Sequence, residues 1–274
     1  MIPKFGAAAV LGLAFAGSVV MAQDPAKESD GAKQEYEVHD MRRPEPPAVT
    51  PATPSTQEQA GKAPSDAKVL FDGTDLSHWK AEKGQWNLKD GVIECKPGTG
   101  SLVSNDEFGS MQLHIEWNEP EGIKGESQGR GNSGVFLMGL YELQVLDVHG
   151  NKTYPDGMAG GLYGQYPPLA NASLAQGQWQ TYDVVFHRAI VQDGKVTKPA
   201  TVTVFWNGVL VQDHSELIGP TLHRQLAKYS GKEPEKGPIK LQDHGNPVRF
   251  RNIWVREIPD AHPVAPVKPA GAGH

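Results

Sequence analysis

Met111-Gln-Leu-His-Ile-Glu-Trp117 decides the fold. Apolar and polar residues alternate along it, which is the period of a strand with one buried face. The same alternation runs through Tyr141-Glu-Leu-Gln-Val145 and Tyr182-Asp-Val-Val-Phe186. Thr201-Val-Thr-Val-Phe-Trp206 meets Asn207-Gly208 and resumes as Val209-Leu-Val211, the strongest short-range hairpin signal. Asp90-Gly91 plays the same part between Trp86-Asn-Leu88 and Val92-Ile-Glu94, and Phe250-Arg-Asn-Ile-Trp-Val255 reads as a last strand. No long segment carries helical periodicity. Many short antiparallel strands predict an all-β chain, a β-sandwich.

Composition agrees. The 274 residues include 31 Gly and 22 Pro, many for a helical chain and suited to strands joined by turns. Apolar residues make up 38%, enough for one good-sized core. Lys and Arg number 26 against 32 Asp and Glu, a net charge of −6 that offers no sequence-blind attraction to nucleic acid or anionic lipid. The lone cysteine, Cys95, excludes an intramolecular disulfide and any cysteine-clustered metal site. It reads as a small buried hydrophobe.

The chain ends read differently. Lys4 precedes an apolar run over 5–20, and Val20-Met-Ala22 offers a cleavage site before Gln23, so 1–22 reads as a secretory signal peptide. The run is short for a membrane-spanning helix, and no cysteine follows to take a lipid anchor. The mature protein is expected to be periplasmic or secreted, without a membrane span. Residues 23–66 lack Leu, Ile, Phe and Trp and carry Pro25, Pro44, Pro46, Pro47, Pro51, Pro54 and Pro64. They read as a disordered linker. Pro259, Pro263, Pro266 and Pro269 mark 259–274 as a disordered tail. A single domain is expected over 67–258.

Alternation also says which side chains leave the core. With Leu113, Ile115 and Trp117 buried, His114 and Glu116 face away; with Leu143 and Val145 buried, so do Glu142 and Gln144. Val135 and Leu137 inside put Asn132, Gly134 and Phe136 outside. Ile239 and Leu241 inside leave Lys240, Gln242 and His244 outside. Lys240 reads as ordinary solvated surface. The rest is a set of His, Glu, Asn and Gln, the donors and acceptors that suit a concave face for hydroxyl-rich ligands. Tyr163, Tyr166 and Trp179 are either a sugar-stacking platform or core aromatics. Asp72-Gly73 and Asp75 read as turn residues rather than calcium ligands.

Leu70-Phe-Asp-Gly-Thr-Asp-Leu-Ser-His-Trp79, Gly131-Asn-Ser-Gly-Val-Phe-Leu137, Tyr141-Glu-Leu-Gln-Val-Leu-Asp147 and Gly160-Gly-Leu-Tyr-Gly-Gln165 follow one another in a distinctive order. Gly177-Gln-Trp-Gln-Thr-Tyr-Asp183, Leu241-Gln-Asp-His-Gly245 and Arg251-Asn-Ile-Trp254 continue it. Together they resemble the bacterial 3-keto-disaccharide hydrolase family across essentially the whole folded domain. The resemblance implies a concanavalin A-like jelly-roll sandwich and an enzyme, a hydrolase or lyase, acting on 3-keto-glycosides.

That substrate class sets what a site must supply. A C3 ketone acidifies the C2 proton; a base removes it, an enolate forms, the C1 aglycone leaves, and water adds to the unsaturated sugar. One base, one enolate stabiliser and an acid for the leaving oxygen suffice. Glu142 and His244 are the candidate catalytic pair, with the base left open between them. Glu116, Asn132, Gln144 and Gln242 are candidate substrate ligands. A divalent metal is a candidate enolate stabiliser, with His114, Glu116, Glu142 and His244 as candidate ligands. A sugar 3-oxidoreductase that makes the ketone is the implied functional partner. A lectin-like module without catalysis is the alternative. A conventional glycosidase fits less well, because Asp147 lies in opposite phase to Glu142.

Overall fold

The computed structural model describes residues 36–261. Its strands are β1 (Lys68–Phe71), β2 (Trp79–Ala81), β3 (Asn87–Lys89), β4 (Val92–Glu94), β5 (Leu102–Phe108), β6 (Met111–Asn118), β7 (Ser133–Leu137), β8 (Tyr141–Val145), β9 (Gln180–His187), β10 (Ile190–Gln192), β11 (Lys195–Lys198), β12 (Thr201–Trp206), β13 (Val209–Glu216), β14 (Gly237–Leu241) and β15 (Arg249–Glu257). Among the described residues there is no α-helix, only 3-10 turns at Ser127–Gly129 and Pro155–Gly157. An eight-stranded antiparallel sheet, ordered β13-β12-β9-β6-β15-β4-β3 with β1 on β15, packs on a five-stranded sheet ordered β2-β5-β14-β7-β8. This is the jelly-roll sandwich.

The core is the set that alternation selects. Leu113, Ile115 and Trp117 of β6, Tyr182, Val184 and Phe186 of β9, and Val202, Val204 and Trp206 of β12 are buried beside Val135, Leu137, Leu143, Val145, Ile239 and Leu241 of the smaller sheet. Trp117 lies 5.3 Å from the Tyr182 ring and 6.3 Å from that of Trp206. Each such side chain contributes about 1.5–3 kcal/mol on burial, against about 0–1 kcal/mol for an exposed ion pair, so packing dominates the fold. The hairpin turns have both central residues at positive φ, Asp90 (52°) with Gly91 (72°) and Asn207 (50°) with Gly208 (77°), as a two-residue type I′ turn needs. Cys95 is buried, and burial pushes its thiol up. Asp72 accepts the Thr74 amide and hydroxyl, and Asp75 the Ser77 amide, which is turn chemistry.

The N-terminal limit of the fold departs from the sequence expectation. Of the linker expected over 23–66, residues 44–66 follow a defined course along the outer face of the eight-stranded sheet. Thr53 N donates to Lys62 O (3.0 Å), and Ser65 N to Thr50 O (3.1 Å). Below this strap, Arg251 donates to Thr56 O (2.5 Å) and Gln57 O (3.3 Å), while the Ser55 hydroxyl donates to Glu116. The Gln57 amide brackets the Trp179 peptide, at 2.7 Å to its N and 3.1 Å to its O. Counting apolar residues missed this because the strap is held by buried polar groups that need its carbonyls and hydroxyls. Residues 36–43 form part of a separate unit, in which the Asp40 carboxylate takes the Arg42 backbone and guanidinium. The signal peptide expected over 1–22 and the linker's first residues, 23–35, lie outside the described residues, as does all but the start of the tail.

Candidate active site

The register of the five-stranded sheet assembles the site. Phe136 of β7 stands opposite Glu142 of β8 on one side and Lys240 of β14 on the other; Gly134 stands opposite Gln144. Glu142, Gln144, Asn132 and Gln242 thus share the face away from the core, with His244 just past the end of β14. They line a pocket of about 180 Å³ together with Gln128, Phe136, Tyr163, Thr221 and His223.

Strand β8 is the sheet edge, and two loops cover its free side. Gln144 N donates to Gly161 O (3.0 Å), Gly160 N to Gln144 O (3.1 Å) and Tyr163 N to Glu142 O (3.1 Å). Glu142 N donates to the Thr221 hydroxyl at 2.9 Å. Edge groups that would otherwise be left unpaired therefore place Tyr163, Thr221 and His223 beside the carboxyl group. The Tyr163 hydroxyl is 2.8 Å from that of Tyr154 and 3.3 Å from His223 Nδ1. A wider mouth of about 660 Å³ continues from the pocket, walled by Tyr154, Tyr163, Leu222, His223, Arg224 and Leu226 among others.

Glu142 is 6% exposed. Burial pushes its carboxyl up to about 8, opposed only in part by the Lys240 charge. Lys240, assigned to solvent by its sequence, stands 4.2 Å over the Phe136 ring on this same face. With its amide nitrogen turned towards them, Gln144 donates to Glu142 Oε1 at 3.2 Å and to Ser133 O at 3.1 Å. Asn132 is fixed by Gln128 O (2.8 Å). Gln242 Oε1 is buried with no partner among the described residues, an acceptor waiting for a donor. The Asp243 carboxylate holds its turn by accepting Gly245, Gly98 and Gly100 amides. The His244 ring is left without a protein partner among the described residues.

Gly134 makes room for the carboxyl group. A Cβ there would collide with Glu142 Oε1 and stand 3.0 Å from its Cδ. Gly134→Ala is expected to lower kcat/KM by about 10²-fold, as displacing a reacting group by about 1 Å does, without unfolding the protein. Kinetics with a 3-keto-glucoside and a melting curve check both halves.

Glu116 and His114 lie elsewhere, which corrects the expected ligand set. They face outward from β6, on the other sheet, under the strap. Glu116 is fully buried, paired to Arg251 Nε at 2.6 Å and hydrogen-bonded by Asn252 at 2.7 Å. Burial alone would raise its carboxyl, but bonds from His114, Ser55, Asn252 and Arg251 hold it at about 2. His114 lies 2.7 Å from Asp183; burial opposes its charge, yet Asp183 and Glu116 raise it to about 9. Asn252, at φ 47° in an irregularity of β15, turns its amide into the same cluster. His114, Glu116, Glu142 and His244 therefore do not converge on one metal. Among the described residues no group of three or more His, Cys, Asp or Glu side chains is arranged to hold one. Sequence reading also missed Gln128, Thr221 and His223, which sit outside any alternating strand.

A polar cleft on the smaller sheet of a jelly-roll sandwich, built around one buried carboxyl group and side-chain amides, suits a hydroxyl-rich carbohydrate. The chain is a member of the 3-keto-alpha-glucoside-1,2-lyase-like domain family, whose model matches residues 66–256. It is 25% identical over 236 residues to a 3-keto-disaccharide hydrolase of Bacteroides thetaiotaomicron, covering 69% of this chain and 78% of that one. A crystal structure from Parabacteroides distasonis ATCC 8503, described as a "putative glycosyl hydrolase", is 42% identical, with a TM-score of 0.75 over 81% of this chain and 95% of that one. A second from the same organism, at 22% identity and a TM-score of 0.51, covers 70% and 99% and shares the fold. The protein is an enzyme acting on carbohydrate.

Proposed function

We propose that the protein cleaves the glycosidic bond of 3-keto-glycosides by elimination and hydration. Glu142 is the base. It takes the C2 proton, the electron pair forms the enolate of the C3 ketone, and the C1–oxygen bond breaks with C1=C2 formation. His244, at the cleft rim, supplies the proton to the leaving aglycone oxygen. Water then adds, hydroxyl to C1 and hydrogen to C2, which returns a 3-keto sugar and completes net hydrolysis. Asn132, Gln144 and Gln242 present amide groups to the ring hydroxyls and the developing enolate.

The observation that carries this reading is the lone carboxyl group of the deep pocket. A conventional glycosidase needs two carboxyl groups flanking the anomeric carbon. Glu142 is the only Asp or Glu among the pocket-lining residues, and one raised carboxyl suits a single proton abstraction. The expected result is turnover of a 3-keto-glucoside and essentially none of its unoxidised parent, measured with and without chelator. Equal rates on both would move the protein to the conventional glycosidases, and binding of both with turnover of neither to a lectin-like module.

Export belongs to the same proposal, on the strength of Lys4, the apolar run over 5–20 and the Val20-Met-Ala22 site. Amino-terminal sequencing of the mature protein should begin at Gln23. No helix of the described residues is long and apolar enough to cross a membrane.

A further inference from the structure

The eight-stranded sheet carries a second groove, on the face of the sandwich away from Glu142. It encloses about 610 Å³, against about 180 Å³ for the catalytic pocket. Its lining includes Asn118 at the end of β6, Glu94 of β4, Arg249 of β15, Asn87 of β3 and the Trp179 ring.

Two observations point to a ligand. Asn118 is only 3% exposed, and its side chain lines the groove. Its amide carries both a donor and an acceptor, and the groove is where a ligand would reach them. Trp179 is held in place as a platform. The Arg251 guanidinium lies 4.2 Å from its ring centre, and the Gln57 amide bonds both its backbone N and O. Beside it Arg249 and Glu94 pair at 2.7 Å while both remain partly exposed, leaving donors and acceptors open to the groove. Lys89 and Arg249 balance Asp90 and Glu94 in the lining, so the groove selects for neither a polyanion nor a polycation.

We propose that this groove is a non-catalytic binding site for a neutral oligosaccharide. The apolar face of a sugar ring would stack on Trp179, and ring hydroxyls would bond Asn118 and the Arg249–Glu94 pair. The site would hold the enzyme on a glycan while the opposite face does the chemistry. It does not rest on the catalytic reading, because its ligand is unoxidised.

Calorimetry on the whole mature protein, with maltohexaose, cellohexaose and laminarihexaose as probes, tests this. At least one should bind, and Glu142→Gln should bind it equally. Trp179→Ala and Asn118→Ala should each weaken binding about tenfold or more and leave turnover of a small 3-keto-glucoside unchanged. Asn118→Ala leaves the Trp179–Arg251 contact in place, so it decides the matter if the loss of that contact unsettles the fold. Failure of all three probes to bind, binding that survives Asn118→Ala in a folded protein, or binding lost in Glu142→Gln would overturn the proposal. Binding is read as heat, so the groove is tested even in a protein inactive on 3-keto-glucosides.

Discussion

Glu142→Gln is expected to lower kcat on a 3-keto-glucoside by about 10²–10⁴-fold, the usual cost of removing a general base. Gln144→Ala, which takes away one hydrogen bond, should cost nearer to tenfold. The wild-type pH profile should show the base directly. Burial holds the Glu142 carboxyl at about 8 against the Lys240 charge, with Tyr163, His223, His244 and Gln144 as its other pocket neighbours. If Glu142 must be ionised to act, kcat/KM rises with pH and levels off above about 8; a profile falling through that pH would make it the acid instead. Stability separates chemistry from folding. A carboxyl raised in the folded state stabilises it fully only below its unfolded value, and that contribution is lost as pH rises through 8. Glutamine never ionises, so the variant should melt no lower than wild type at pH 8. A variant that has lost activity and also melts early would point to a structural role.

Glu116→Ala should do the reverse, costing stability and sparing the chemistry. It strips the partner from Arg251 and removes acceptors from Asn252, Ser55 and His114. Removing one member of a buried pair costs about 3–5 kcal/mol. For a domain of this size that lowers Tm by about 10 °C. The strap over 44–66 should become sensitive to protease, because Arg251 no longer has a fixed orientation from which to hold Thr56 and Gln57. The pH dependence has two limbs. Glu116, held at about 2, contributes above its ordinary range near 4.5 and loses that as pH falls towards 2. His114, raised to about 9, contributes fully below its ordinary 6.5 and loses that as pH rises through 9. The cluster is therefore strongest between about 4.5 and 6.5, where the difference in Tm between wild type and variant should peak. Normal kcat/KM in the folded fraction would confirm that Glu116 takes no part in the reaction, and a loss matching that of Glu142→Gln would refute it.

Period-two alternation by itself determined the sandwich, its hairpins and the orientation of Glu142, Gln144, Asn132 and Gln242. Strand side chains have only two directions, and burying Leu143, Val145, Val135 and Leu241 settles which one the polar neighbours take. Tertiary structure alone decided which outward side chains meet. Glu116 and Glu142 both point away from the core with the same local signature, but a sandwich has two outer faces, and strand order places β6 on one and β8 on the other. His223, Thr221 and Tyr163 reach the pocket on loops that have no period. Tyr163 and Thr221 hydrogen-bond the free edge of β8, whose place at the edge follows from distant pairings, and His223 stands against the Tyr163 hydroxyl. The strap over 44–66 lay beyond sequence for the same reason. Its own residues are polar and proline-rich, and what fastens it is a buried charge cluster on β6 and β15 that exists only once those strands are side by side.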